Sequence, residues 1–115
     1  MNLNVSKNNE GQSPLPKRLK EARKKIGISQ KELGVLAGVD EFSASSRVNH
    51  YEKGNHAPSF AMSKQFAEIL KIPTSFLYEE NDGIAAMLLL FYCFNDQEKK
   101  LIIESIIEMQ DEDML

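Results

Sequence analysis

Residues 27–38 read Gly-Ile-Ser-Gln-Lys-Glu-Leu-Gly-Val-Leu-Ala-Gly, and residues 48–54 read Val-Asn-His-Tyr-Glu-Lys-Gly. Ser29 and Glu32 have the spacing of a capping box, in which the hydroxyl and the carboxylate each bind a free backbone N–H at the start of a helix. The apolar residues that follow share one helical face: Leu33, Leu36 and Ala37. The two segments predict a short helix, a turn that contains glycine, and a second helix.

Two short helices around such a turn form a helix-turn-helix, whose second helix enters the major groove of DNA. Residues 15–78 resemble the Cro/cI-type (Xre) family of bacterial and phage regulators on the segments just quoted. The resemblance implies an all-α fold: a five-helix, lambda-repressor-like DNA-binding domain, followed in this chain by a C-terminal helical pair. It also implies a cytoplasmic, sequence-specific transcriptional regulator, a repressor that binds double-stranded DNA at a palindromic operator as a homodimer.

The charge of the chain is divided between its two ends. Residues 1–71 hold 12 Lys or Arg and 7 Asp or Glu, a net charge of +5, whereas residues 72–115 hold 2 and 10, a net charge of −8. A basic region can lie against phosphates that would repel an acidic one. A solvated charged surface would give the same numbers, but the division favours a DNA-facing front with a tail directed away from DNA.

The polar residues 1–13 predict a disordered arm, residues 14–80 the DNA-binding domain, and residues 81–115 a helical dimerisation segment. In the first helix a stripe of four residues predicts the buried face: Leu15, Leu19, Ala22 and Ile26. Its basic residues are expected on the outer face: Lys17, Arg18, Lys20, Lys24 and Lys25. The triplet Asn81-Asp82-Gly83 predicts a turn or linker before the last two helices.

The start of the recognition helix is ambiguous. The segment from Gly38 to Tyr51, which contains the turn, is about four residues longer than the family usually has. The extra residues fall within Asp40-Glu41-Phe42-Ser43. Either Ser43 caps a helix of usual length, or Asp40 caps one that is extended by a turn, since both residue types are good N-caps. The sequence favours Ser43.

The resemblance places ten residues against DNA. The glutamine that opens the second helix meets a phosphate in this family, and the helix N-terminus itself attracts anions. Ser, Asn and Arg on the recognition helix have the side chains that read base edges. Asn55 and His56 stand where many relatives have Arg or Lys, which predicts a weaker, partly pH-dependent grip on phosphate. The predicted DNA-binding residues are Ser29, Gln30, Ser45, Ser46, Arg47, Asn49, His50, Lys53, Asn55 and His56.

Two further groups of residues have predicted structural roles. Arg23 and Glu52 match positions that form an ion pair between the first and third helices of relatives. Residues 84–94 are apolar nearly all round, and a broad apolar face follows on the last helix, which predicts burial against a second copy. The predicted dimerisation residues are Met87, Leu88, Phe91, Ile102, Ile103 and Ile106.

Other classes of function are less well supported. The same apolar segment could instead clamp a toxin, which would make the chain an autoregulating antitoxin. No catalytic set, phosphate loop or metal-ligand cluster can be assembled, so neither an enzyme nor a cofactor is predicted. No apolar run reaches the roughly 18 residues of a membrane span. The single cysteine, Cys93, lies in an apolar run and is expected to be a buried thiol.

Overall fold

A computed structural model describes residues 12–114, with side chains described as far as residue 111. This part of the chain is all-α, as the sequence predicts, and contains no strand. The predicted disordered arm lies outside the described residues except for its last two positions. The elements are α1 (Leu15–Ile26), α2 (Gln30–Leu36), α3 (Glu41–Lys53), α4 (Phe60–Leu70), a 3-10 helix (Thr74–Tyr78), α5 (Asp82–Tyr92) and α6 (Asp96–Met114).

One core joins α1–α4 and the 3-10 helix. Each of these five elements contributes a side chain with no exposed surface: Leu19, Leu33, Val48, Phe66 and Leu77. Burial of each such side chain stabilises the fold by roughly 1.5–3 kcal/mol. One expected core position is wrong, because Ile26 is exposed at the end of α1, and on the apolar face of α2 Leu36 is exposed while Leu33 and Ala37 are buried. Gly34 lies on the inner face of α2 instead.

Side-chain caps begin five of the helices. Ser29 and Glu32 form the predicted capping box on α2, and Asn95 and Glu98 exchange the same two bonds at α6. Ser59 caps α4 through the backbone N–H of Met62. The predicted turn at residues 81–83 is wrong, because Asn81 caps α5 and the helix already begins at Asp82.

The recognition helix α3 begins one turn earlier than the sequence favours. Its N-cap is Asp40, whose carboxylate accepts a hydrogen bond from the backbone N–H of Phe42, so the assignment of Ser43 as cap is wrong. Glu41 of this extra turn lies 3.3 Å from Lys31 of α2, an exposed ion pair between the two helices. The added residues therefore lengthen α3 by one turn, about 5.4 Å.

Arg18 joins the DNA-binding domain to α5. It is only 5% exposed, so its expected place on the outer face of α1 is wrong. Its guanidinium donates to the Glu79 carbonyl oxygen at 2.9 and 3.1 Å and to the Asp82 carboxylate at 3.0 Å. It also lies over the Phe76 ring, 5.4 Å from the centroid. Ala85 of α5 is buried in the common core, so the core continues past residue 80.

The last helix lies apart from this core. No side chain between residues 96 and 111 is buried, and the molecule is elongated, 59 × 39 × 23 Å. Cys93 is exposed, so the expected burial of its thiol is wrong; the residue lies just past the end of α5, before α6 begins. None of the helices between residues 12 and 114 has the length and apolar character needed to cross a membrane.

Candidate nucleic-acid interface

The helices α2 and α3 cross at very close range. A Cβ atom on Gly34 would lie 2.8 Å from the Cβ of Ala44 and 2.9 Å from its carbonyl oxygen, distances that real Cβ atoms do not adopt. Gly38, with φ at 90°, forms the left-handed bend between the two helices. The absence of a side chain at Gly34 thus lets α3 pack directly on α2, and Ala44 and Val48 form its fully buried inner face.

The outer face of α3 carries the residues predicted to read bases. Ser45, Ser46 and Arg47 are exposed, and Asn49 and His50 are half-buried. An open cleft beside this face is lined by residues of α3 and of the loop that follows it: Phe42, Ser43, Ser46, Arg47, His50, Tyr51 and His56. Apart from Phe42, these side chains can donate or accept hydrogen bonds, and serine and arginine are among the types that recognise base edges.

A hydrogen-bond network ties the start of α2 to this face. The Gln30 Nε2 atom donates to Asn49 Oδ1 at 3.2 Å and to Glu52 Oε1 at 3.1 Å. The contact uses the carbonyl oxygen of Asn49, whose NH₂ group makes no hydrogen bond within the described part of the chain. Gln30 therefore holds the Asn49 amide beside the N-terminus of α2. A bond from the Gln30 side chain to phosphate requires exchange of one of these two contacts.

Arg23 and Glu52 form a buried, two-pronged ion pair. Arg23 Nε lies 2.6 Å from Glu52 Oε2, and Nη2 lies 3.0 Å from Oε1. The remaining Nη1 donates to the Ile28 carbonyl oxygen at 2.9 Å. The hydrogen bond to Glu52 raises the pKa of Arg23 above its usual range, against the opposing effect of burial. The pair joins α1, the α2 start and α3, which fixes the orientation of the recognition helix.

The loop after α3 is held by local polar contacts. Asn55 and His56 are exposed in this loop, and Lys53, the last residue of α3, is exposed beside it. The Asn55 amide nitrogen lies 3.3 Å from His50 Nδ1, and the His50 and His56 rings meet edge to face with centroids 5.2 Å apart. His50 therefore belongs to α3 and also contacts the loop that follows it.

The predicted dimerisation residues lie on a partly exposed apolar surface. Met87, Ile103 and Ile106 are exposed, and Leu88, Phe91 and Ile102 are half-buried. The same surface includes other large exposed residues of the last two helices: Ile84, Leu90, Tyr92, Phe94, Leu101, Ile107 and Met109. The predicted residues thus lie on the two helices that follow the 3-10 helix, and each keeps solvent-exposed area in the single chain.

Sequence reasoning missed two residues of this architecture, Arg18 and Phe42. Arg18 falls three residues after Leu15 and four before Ala22, so its spacing indicates the buried side of α1. It was expected on the outer face because its side chain is charged. Phe42 is 95% exposed on the first turn of α3, and no pattern indicates that exposure. Among the described residues, no group of His, Cys, Asp and Glu side chains could hold a metal ion.

Comparison with known proteins gives the family. Residues 19–77 match the helix-turn-helix family model of the Cro/C1 type. A solved structure, that of the transcriptional regulator BswR, is 41% identical and superposes with a TM-score of 0.78 over 82% of this chain and 93% of that one. No curated protein sequence matches. The chain belongs to the Cro/C1-type helix-turn-helix family, a class of DNA-binding transcriptional regulators.

Proposed function

We propose that this protein is a cytoplasmic repressor that binds a palindromic operator as a homodimer, with one α3 helix in the major groove at each half-site. The observation that carries the proposal is the exposed polar face of α3, held in place from behind by Gln30 and by the Arg23–Glu52 pair. A face fixed in this way loses little conformational freedom on binding, which favours readout of bases.

Two groups of side chains divide the work at the DNA. The base-reading group comprises Ser45, Ser46, Arg47, Asn49 and His50. The phosphate-binding group flanks it at the start of α2 and after α3, and comprises Ser29, Gln30, Lys53, Asn55 and His56. Phosphate contacts set the position of the protein on the duplex, and base contacts select the sequence.

The apolar surface of α5 and α6 supports the homodimer. Burial of each of its large aliphatic side chains would contribute roughly 1.5–3 kcal/mol, so the surface is costly to leave in water. A second copy carries an identical surface, and two-fold dimers are the most common assembly. The acidic residues of α6, among them Glu104 and Glu108, would then lie away from the phosphates.

The Arg18 contacts connect dimerisation to operator spacing. Because Arg18 ties α1 to the chain just before α5 and to Asp82, α5 has a fixed orientation relative to α3. A dimer formed through α5 and α6 would therefore hold its two recognition helices at a set distance. About one turn of DNA, roughly 34 Å, is the spacing that such dimers require.

The experiment is selection from a random double-stranded DNA library with the full chain, followed by a transcription assay. We expect a two-fold symmetric site with half-site centres about one helical turn apart. We also expect transcription to fall when that site overlaps a promoter, since a bound dimer excludes the polymerase. An asymmetric single half-site would contradict the dimer, and increased transcription would contradict repression.

The exposed α5–α6 surface also suits the antitoxin alternative. In that case the purified chain would be a monomer, and it would acquire high affinity for its operator only with the product of a neighbouring toxin gene. Sedimentation of the chain alone distinguishes the two proposals. A homodimer at micromolar concentration would bury the α5–α6 surface against a second copy, and the surface would then not be accessible to a toxin.

A further inference from the structure

Phe42 is the most exposed large apolar residue that the structure describes, at 95%. Phenylalanine is among the residues most often buried, whereas this one lies almost wholly in water at the start of the recognition helix. It lies on the turn by which α3 exceeds the length usual for the family.

The backbone holds Phe42 firmly in this position. Its N–H donates to the Asp40 carboxylate at 3.1 Å, and the next N–H, that of Ser43, donates to the Asp40 carbonyl oxygen at 3.0 Å. One residue further, Ala44 packs against Gly34. The ring therefore cannot turn inward onto the core without breaking the first turn of α3.

The position of Phe42 continues the base-reading row. Residues 42, 46, 49 and 53 are spaced four, three and four apart, so they follow one another along a single face of the helix. Phe42 thus lies one turn beyond Ser46, on the side of α3 where Gln30 meets Asn49. Whatever nucleic-acid groove receives Ser46 and Asn49 also receives Phe42.

The carboxylates beside Phe42 are occupied by protein groups. Asp40 accepts the bond from Phe42, and Glu41 lies 3.3 Å from Lys31 on α2. This turn therefore offers an apolar ring beside two carboxylates, each of which has a partner within the protein. In the major groove the apolar group of a base pair is the C5-methyl of thymine, which phenylalanine can contact.

We propose that Phe42 contacts a thymine methyl group and so selects an A·T pair at one position of each half-site, next to the pairs read by Ser46 and Asn49. The inference rests on the DNA-binding function proposed above. It adds Phe42 to the base-reading residues. It also adds the thymine methyl group, which the polar side chains of α3 do not recognise.

The test compares full-length wild type, Phe42→Ala and Phe42→Leu on the site that the wild type selects. Thymines of one half-site are replaced one at a time by deoxyuridine, which removes only the methyl group. For the wild type we expect one replacement to weaken binding roughly fourfold, about the effect of exposing one buried methyl group. Phe42→Ala should bind the unmodified site as weakly as the wild type binds the uridine site, and should not respond to the replacement. Phe42→Leu should keep part of the response.

Phe60→Ala is the matched control, because Phe60 is an exposed phenylalanine on α4. It should bind both sites as the wild type does, and unchanged helical circular dichroism should show that all variants fold. If Phe42→Ala selects the same site with the same methyl response, the inference is wrong while the DNA-binding proposal stands. Altered sedimentation with an unchanged methyl response would make Phe42 a protein contact and would also overturn it. A library in which no sequence is enriched overturns both proposals.

Discussion

At the scale of single residues, the Glu52 carboxylate connects folding with recognition. It accepts two hydrogen bonds from Arg23 and a third from Gln30, and Gln30 in turn holds Asn49. The carboxylate thus neutralises a buried guanidinium and, through one intermediate amide, positions a predicted base-reading side chain. Both functions depend on the same few atoms, so substitutions here affect stability and DNA binding together.

Glu52→Ala should lower the free energy of unfolding by about 3–5 kcal/mol, because it leaves the buried Arg23 guanidinium without a charged partner. Urea denaturation of the full chain measures the change. Glu41→Ala is the control, since the Glu41–Lys31 pair is exposed and such pairs contribute at most about 1 kcal/mol. A loss below 1 kcal/mol for Glu52→Ala would show that the pair adds little to the fold.

Asn49→Ala and Arg47→Ala should each weaken binding to the selected operator by roughly 1–3 kcal/mol and have little effect on random DNA, if each reads a base. If Gln30 acts by holding Asn49, Gln30→Ala and Asn49→Ala should be non-additive in a double-mutant cycle. Lys53→Ala should instead weaken binding to both DNAs and reduce the salt dependence by about one counterion. Equal losses on both DNAs for Asn49→Ala would make it a phosphate contact.

At the scale of helices, local patterns predicted the elements well and their junctions poorly. The capping box at Ser29 is a local signal that the structure confirms, and so is the stripe of α1 except at Ile26, which is exposed. The start of α3 is different, because Asp40 and Ser43 are equally good caps in isolation. The choice depends on Lys31 and Gly34 of α2, which meet the extra turn only after the two helices have packed. The partners of Arg18 and Gln30 are likewise distant in sequence.

Asp82→Asn should remove a pH-dependent contribution to the stability of the α1–α5 junction, one that the wild type loses in acid. The hydrogen bond from Arg18, and next the charge of Lys17, lower the pKa of Asp82 below its ordinary value of 3.8. A carboxylate whose pKa is lowered in the folded state stabilises the fold at pH values above its ordinary pKa. This stabilisation is lost as the pH falls through the lowered pKa. The melting temperature of the wild type should therefore fall more between pH 7 and pH 2 than that of Asp82→Asn does.

Glu68→Gln is the control for this measurement, because Glu68 is an exposed carboxylate on α4. It should not alter the difference in melting temperature between neutral and acidic pH. Parallel pH profiles for wild type and Asp82→Asn would show that the Arg18 contact to the carboxylate does not stabilise the junction, which would then rest on the carbonyl contacts alone.

At the scale of the whole molecule, charge and apolar surface lie at different ends of the chain. Of the 14 basic residues, 12 precede residue 72, and 10 of the 17 acidic residues follow it, together with the exposed apolar side chains of α5 and α6. The division of charge could be predicted directly from the sequence, because it requires only a count of charged residues in each part of the chain. What covers α6 could not be derived in the same way, because the fold of one copy leaves its side chains exposed or half-buried.

Replacement of both Ile103 and Ile106 by Glu should convert the full chain from dimer to monomer without unfolding it. These side chains are 49% and 44% exposed, so a carboxylate at either position stays in water in the single copy. In a dimer interface the same charges would be buried without partners, at a cost of several kcal/mol each. Sedimentation at micromolar concentration measures the mass, and a mobility shift on a palindromic site measures the accompanying loss of bivalent DNA binding. Leu36→Glu, at an apolar position on α2 that is more exposed, at 63%, should leave both measurements unchanged. A double variant that still sediments as a dimer would place the interface elsewhere on the molecule.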